Sequence, residues 1–112
     1  MDDLFNNQAL ELRRGSIVLA ILSCLHEPHY GYSLLQVLEK SGIAVDAGTL
    51  YPLLRRLEKQ GILRSNWDTS DTRPRKFYEI SKDGNELYNR LVIEWSDISE
   101  KLEKMLKKGN TK

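Results

Sequence analysis

A stripe of leucines with helical spacing lies between Asp46 and Gly61. Its four members recur at i, i+3, i+4 and i+7 and predict one buried helix face: Leu50, Leu53, Leu54 and Leu57. Gly61 is the expected stop, because glycine adopts the left-handed conformation that often follows a helix. Asp46, Gly48 and Thr49 are alternative caps for the start. Pro52 lacks a backbone N–H, so we expect this helix, over about 49–60, to begin near Thr49 or to bend at the proline.

Two further helices precede this one. Residues 5–26 read as a helix whose segment 17–22 is apolar nearly all round and therefore buried; a buried strand is the competing interpretation of 17–22, but length and lack of alternation favour helix. Glu27-Pro28 ends it. Residues 30–40 form the second helix, with leucines inward and Gly42 as its stop. Residues 43–45 are interpreted as a very short strand.

After Gly61 the apolar period changes from 3.6 to about 2. Residues 62–67 and 76–80 predict two strands of a hairpin, joined by the polar segment 68–75. Ser81 then caps a long helix over about 82–108. Apolar residues on this helix are spaced as an a/d seam that one small domain cannot bury, so it predicts pairing with a second copy of the chain: Leu91, Trp95, Ile98, Leu102 and Met105.

The order helix-helix-helix-hairpin-helix predicts an α+β fold that is mostly α, a winged helix-turn-helix domain with a long C-terminal dimerisation helix. We place the DNA-binding domain at 1–80 and the dimerisation helix at 81–112. In this arrangement the third helix is sized for the major groove, and the hairpin, the wing, lies over the neighbouring backbone or minor groove.

Charge is concentrated in one segment. The 112 residues carry a net charge of only +1, but residues 55–76 hold seven bases against three acids, a balance of +4. A local excess of this kind is typical of a surface that meets a polyanion. Apolar residues make up 40% and charged residues 29%, which is the composition of a soluble globular domain rather than of a disordered or membrane protein.

Other classes of protein and site find little support. The apolar run 17–22 is too short to cross a bilayer, and Asp2 and Asp3 stand where a signal peptide would be basic. The single cysteine, Cys24, fits a reducing intracellular home and a core position. His26 and His29 do not form a metal site with it. No nucleophile–base pair, carboxylate dyad or phosphate-binding glycine loop is present, so we expect neither an enzyme nor a cofactor.

Several blocks resemble the signatures of the PadR family of bacterial transcriptional regulators. They occur in the family's order over about residues 15–100 and are 28–32, 48–58, 61–63, 73–78 and 80–84, followed by Trp95 on the last helix. The single short C-terminal helix is similar to the small PadR subgroup. The resemblance implies a cytoplasmic, homodimeric repressor that leaves its double-stranded DNA operator when a small aromatic effector binds, with Trp95 stacking on that effector across the dimer axis.

The candidate DNA-binding residues come from the helix-turn-helix and the wing. They are Tyr30, Gly31, Thr49, Tyr51, Arg55, Arg56, Arg73, Arg75 and Lys76. Phosphate contacts by such cations set affinity, and base-edge contacts set sequence preference. The competing interpretations are a solvated helix face, tyrosines that only pack the domain, and Trp95 as a plain core residue of the dimer seam. A winged-helix module that binds protein without DNA is the alternative function, against which the arginines argue.

Overall fold

Along the described part of the chain, residues 1–110, the computed structural model has four helices and three strands. In chain order these are α1 (Asp2–Cys24), β1 (His29–Tyr30), α2 (Gly31–Lys40), α3 (Ala47–Lys59), β2 (Leu63–Asp68), β3 (Arg75–Ile80) and α4 (Lys82–Asn110). The predicted helices and both predicted strands of the hairpin are therefore present, with ends shifted by a few residues. The predicted boundary at residue 112 lies outside the described residues.

The core lies where α1, α2 and α3 meet the base of the hairpin. Its buried side chains are Ile21, Leu22, Leu25, Leu34, Leu38, Leu50, Leu54, Leu57, Leu63, Tyr78 and Ile80. The leucine stripe of α3 is confirmed, with Leu53 partly buried against the same cluster. The segment 17–22 is a helix as predicted, but only Ile21 and Leu22 are fully buried and 17–20 are half-buried.

The three strands form one antiparallel sheet in the order β1-β3-β2. Leu63 pairs with Ile80 at the base of the hairpin and Asp68 with Arg75 near its tip. Tyr30 pairs with Phe77 on the other side of β3. The predicted strand at 43–45 is wrong. The Ile43 N–H donates to the Leu38 carbonyl at 2.9 Å and closes the end of α2, and the free edge of β3 is occupied by β1 instead.

Two caps fix the elements on either side of the hairpin. Gly61 has φ +80°, and the Ile62 N–H donates to the Leu57 carbonyl at 3.0 Å, so the predicted left-handed stop of α3 is confirmed. The Ser81 hydroxyl accepts from the Gly84 N–H at 2.9 Å, which confirms Ser81 as the cap of α4. The same hydroxyl donates to the Gly61 carbonyl at 2.6 Å and so joins the end of α3 to the start of α4.

Pro52 lies inside α3 rather than in its first turn, because the helix already begins at Ala47 after the cap residue Asp46. The missing N–H leaves the Gly48 carbonyl without its usual helical donor. Gly48 and Pro52 are both exposed, so this carbonyl is accessible to water and the proline is tolerated.

The two long helices extend beyond this body, and the molecule measures 63 × 34 × 23 Å. In α1 the residues 2–15 are exposed apart from Ala9. The first turns of α4 pack on the body through Leu91 and through an edge contact of 4.9 Å between the rings of Tyr88 and His26. Further along α4 the side chains are mostly exposed, including the apolar ones. None of the helices described is long and apolar enough to cross a membrane.

Candidate nucleic-acid interface

The outward side of α3 presents two different surfaces. Successive residues of an α-helix point about 100° apart, so Tyr51 and Arg55 lie toward the wing, while Thr49 and Arg56 lie toward α1. The lining of the two neighbouring depressions agrees with this division, since Tyr51 lines one and Thr49 and Arg56 line the other. The candidates on α3 therefore do not form one cluster.

The first depression is a groove of about 300 Å³ between α3, the start of α2 and the wing. It brings together five of the nine candidates, and its lining is Tyr30, Gly31, Tyr32, Tyr51, Arg75, Lys76 and Tyr78. Gly31 is buried, and a Cβ added to it would lie 2.3 Å from the Tyr51 ring. The closeness of this contact indicates that Gly31 sets the position of Tyr51, whatever its backbone contributes to binding.

Arg75 and Tyr30 form the outer rim of this groove. The Arg75 guanidinium carbon lies 4.4 Å from the centre of the Tyr30 ring, which is cation–π geometry. The Tyr30 hydroxyl donates to the Asp68 carboxylate. Hydrogen bonds from the Ser70 hydroxyl and then from Tyr30 hold the pKa of Asp68 down to about 2, and the bond to Asp68 raises the pKa of Tyr30.

Lys76 faces α3 from the middle of the wing and is only half-exposed. Its ammonium lies 3.0 Å from Oε1 of Glu58, and the other carboxylate oxygen, Oε2, accepts from the Ser65 hydroxyl. The bond from Ser65, followed by Lys76, lowers the pKa of Glu58, and the bond to Glu58 raises the pKa of Lys76. Because Glu58 compensates its charge, Lys76 has the least charge to offer to a phosphate among the predicted cations.

Five cations of α3 and the wing have no ion-pair partner among residues 1–110. They are Arg55, Arg56, Lys59, Arg73 and Arg75, and all five side chains are exposed. Arg64, by contrast, pairs with Glu79 across the hairpin at 2.9 Å. The hairpin loop 69–74 contains one acid, Asp71, and one base, Arg73, and so has no net charge; the net positive charge of the wing comes from its strands.

The second depression, of about 510 Å³, lies between α1 and the start of α3. Arg14 and Val18 of α1 line it together with Gly48, Thr49 and Arg56. Arg14 is exposed and pairs with Glu11 at 3.0 Å on its own helix. Sequence reasoning did not assign Arg14 to the interface, because nothing local to α1 shows that α3 crosses beside it.

Sequence reasoning also missed Trp67 and Asp68 at the end of β2. Trp67 is 62% exposed and lies opposite Lys76 in the register, so it is on the wing face that looks toward α3. Asp68 is the acceptor for Tyr30. The sequence offered no signal for this exposure, because alternation along β2 puts Trp67 on the same face as the buried Leu63.

Trp95 is remote from the α3–wing groove, on α4. It is 52% exposed and lines a depression of about 320 Å³ between α1 and α4, beside Tyr88, Val92 and Ser23. The other four residues of the predicted seam divide, since Leu91 is half-buried against the core and the rest are exposed: Ile98, Leu102 and Met105.

The residues considered for metal binding do not converge. Among residues 1–110, no group of three or more His, Cys, Asp or Glu side chains is arranged to hold a metal ion. Cys24 is half-buried against the core, and this burial raises the pKa of its thiol. That environment keeps the thiol protonated and unreactive at neutral pH.

Comparison with known proteins agrees with this fold. The family model for PadR-like transcriptional regulators matches residues 18–90. The crystal structure of a PadR family transcriptional regulator from Eggerthella lenta is similar, with TM-score 0.88, 43% identity and 94% of each chain covered. A PadR-like transcriptional regulator from Bacillus cereus has TM-score 0.76 and 29% identity, covering 86% of this chain and 96% of that one. A transcriptional regulator of Mycobacterium tuberculosis is 40% identical over 76 residues, 66% of this chain and 70% of the relative. With its winged-helix fold and this match over well more than half of its length, the chain belongs to the PadR-like family of transcriptional regulators.

Proposed function

We propose that this protein is a sequence-specific DNA-binding repressor that acts as a homodimer and responds to a small aromatic effector. The observation that carries the DNA-binding part is the groove between α3 and the wing, which Tyr51 and Arg75 both line. In this reading α3 enters the major groove and the wing follows the adjacent backbone.

The candidate side chains take different roles in this proposal. Arg55, Lys59 and Arg73, exposed and without ion-pair partners among the described residues, meet phosphates together with Arg75. Thr49 and Tyr51, near the start of α3, meet base edges or sugars. Because phosphate contacts release counterions, binding depends steeply on salt, whereas sequence preference depends on the base contacts.

Two copies associate, in this proposal, through the seam of α4. An apolar row that includes Trp95 and Ile98, each more than half-exposed, is costly to leave in water and is typical of an interface. A twofold dimer presents two recognition helices to two half-sites about one helical turn apart. The division into a DNA-binding domain (1–80) and a dimerisation helix (81–112) stays a prediction, and the first turns of α4 pack on the body.

The effector part of the proposal rests on Trp95. Its exposed indole borders the depression beside Tyr88 and Val92, an apolar and aromatic surface that suits a flat ring. A ligand held there between two copies changes the distance between the recognition helices. The change in the free energy of operator binding is then limited by the difference in the ligand's binding free energy for the two dimer geometries.

Fluorescence anisotropy of labelled duplex DNA tests the proposal. The duplex comes from the region upstream of the protein's own gene, with a scrambled duplex as control, over a range of salt. We expect preferential binding of the native duplex, and weaker binding of Arg75→Ala by about 3- to 30-fold, the effect of one charge-assisted contact. Arg64→Ala is the matched control, because this arginine of the same wing is already paired with Glu79. No binding at low salt would contradict the proposal and favour the protein-binding module.

A further inference from the structure

Three side chains near the outer end of the wing form one cluster, which we call the wing clasp: Tyr30, Asp68 and Arg75. The Tyr30 hydroxyl donates to the Asp68 carboxylate, and the Arg75 guanidinium lies 4.4 Å from the centre of the Tyr30 ring. Asp68 and Arg75 are opposite each other in the register of the hairpin. Each member therefore contacts or directly faces the other two.

The clasp spans the whole sheet. Tyr30 is on β1, which pairs only with β3, so its hydroxyl reaches across β3 to a residue of β2. The clasp is at the last pair of the hairpin, and beyond it residues 70–74 are exposed. Asp68 is held in turn by the Ser70 N–H at 3.0 Å and the Ser70 hydroxyl at 2.6 Å. These bonds fix the carboxylate on the side of the sheet where Tyr30 and Arg75 lie.

An acidic residue is out of place in a surface that meets phosphates, since its charge repels them. The Tyr30 hydroxyl already donates its hydrogen bond to a partner inside the protein. Neither group is free to bind a phosphate as it stands. Both are well placed to restrict Arg75, whose long side chain otherwise loses rotamer freedom when it binds.

We propose that Tyr30 and Asp68 are positioning residues that hold Arg75 in its DNA-binding orientation, and that neither is itself a DNA ligand. This inference rests on the proposed function. Holding Arg75 in advance lowers the entropy lost on binding, which strengthens the complex without a new contact.

The sign of one substitution separates positioning from simple electrostatics. If Asp68 acted only through its charge, Asp68→Ala would tighten DNA binding. Positioning predicts weaker binding, by about three- to tenfold, the value of one hydrogen bond. Asp71→Ala is the matched control, because it removes the same charge from the same wing but only a 3.2 Å bond to the neighbouring Thr72 N–H. We expect it to leave binding unchanged or tighter.

Two further variants complete the anisotropy experiment. Asp68→Asn keeps an oxygen acceptor for Tyr30 and is expected to bind DNA more tightly than Asp68→Ala. Tyr30→Phe is expected to weaken binding about as much as Asp68→Ala, and the double variant no more than either, because both remove the same bond.

Additive losses would show that Tyr30 meets DNA independently and would overturn the inference. Equal tightening by Asp68→Ala and Asp68→Asn would also overturn it. In both cases the wild type still binds its duplex, and the proposed function stands. A wild type that binds no duplex overturns both proposals together.

Discussion

Gly31 shows how one absent side chain shapes the candidate interface. Its Cβ position is taken by the Tyr51 ring, with the nearest ring carbon 2.3 Å away. A methyl group there displaces the ring rather than the backbone, because the ring is the movable partner. Gly31 thus affects the candidate DNA-binding surface of α3 through the position of Tyr51, in addition to any phosphate contact of its N–H.

We therefore expect Gly31→Ala to weaken DNA binding by about tenfold or more and to lower the free energy of unfolding by about 1–3 kcal/mol through overpacking. Gly15→Ala is the control, since nothing lies within 4 Å of its Cβ position in α1. There alanine should stabilise the helix by about 0.5–1 kcal/mol. Thermal unfolding and anisotropy of both variants check the prediction. Native-like binding by Gly31→Ala would contradict the role given to Tyr51.

The bond between Tyr30 and Asp68 makes a second prediction, in the pH dependence of the wing. The pKa of Asp68 is lowered to about 2, so the stabilisation it gives is present above its ordinary pKa near 3.8 and is lost as the pH falls through about 2. The pKa of Tyr30 is raised, so its contribution is complete below its ordinary pKa near 10 and is lost as the pH rises through the raised value.

NMR titration of ring-labelled tyrosine measures the pKa of Tyr30 directly among the five tyrosines of the chain. The Tyr30 pKa should fall in Asp68→Ala, because the hydrogen bond to Asp68 is the main cause of its elevation. In Asp71→Ala the decrease should be smaller, since Asp71 acts only through charge at a distance. A Tyr30 pKa that does not respond to Asp68→Ala would exclude the bond.

Among the elements, the helices could be read from the sequence and β1 could not. The helices can be recognised by apolar residues with a 3.6-residue period and by capping residues next to them in the sequence, such as Gly61 and Ser81. A strand of two residues has no detectable alternation. It exists because Phe77 and Tyr78, far along the chain, offer a free edge to pair with.

The same distinction explains the candidate site. The residue types on α3 and the wing predicted a basic surface. That prediction needs only local information, namely which side of a short helix or strand each residue is on. The division of that surface depends on packing: Arg56 lines the same depression as Arg14 of α1, and the charge of Lys76 is compensated by Glu58. The pairing of Tyr30 with Asp68 joins residues 38 positions apart and has no local signal.

Ser81 gives the prediction that belongs to the elements. Its hydroxyl caps α4 and also donates to the Gly61 carbonyl at the end of α3, so Ser81→Ala removes two bonds at one junction. We expect a loss of about 1–2 kcal/mol in the free energy of unfolding. Ser23→Ala is the control, because that hydroxyl donates to the Ala20 carbonyl within its own helix and joins no two elements. Chemical denaturation checks both, and equal effects would contradict the junction role.

At the scale of the whole molecule, one body carries two long projections with uncovered apolar side chains. The exposed part of α1 includes Phe5 and Leu12, and the exposed part of α4 includes Ile98 and Leu102. A chain of this size has little other core to offer, so association of two copies is the simplest way to cover them. In the proposed homodimer, the long helices would hold the two recognition helices at a fixed distance.

Ile98→Glu tests this arrangement with a control on the same helix. Ile98 is 54% exposed on the seam, and Ile93 is 71% exposed about half a turn away from the Leu91 end of the seam, on the opposite face. A charge at 98 must be desolvated for two copies to pair, whereas a charge at 93 stays in water.

By analytical ultracentrifugation we expect Ile98→Glu to be monomeric and Ile93→Glu to remain dimeric. Loss of the second half-site contact should also weaken operator binding of Ile98→Glu by at least about 100-fold, because the two heads no longer bind as one unit. If both variants stayed dimeric, the seam would not be the interface, and the apolar face of α1 would become the candidate instead.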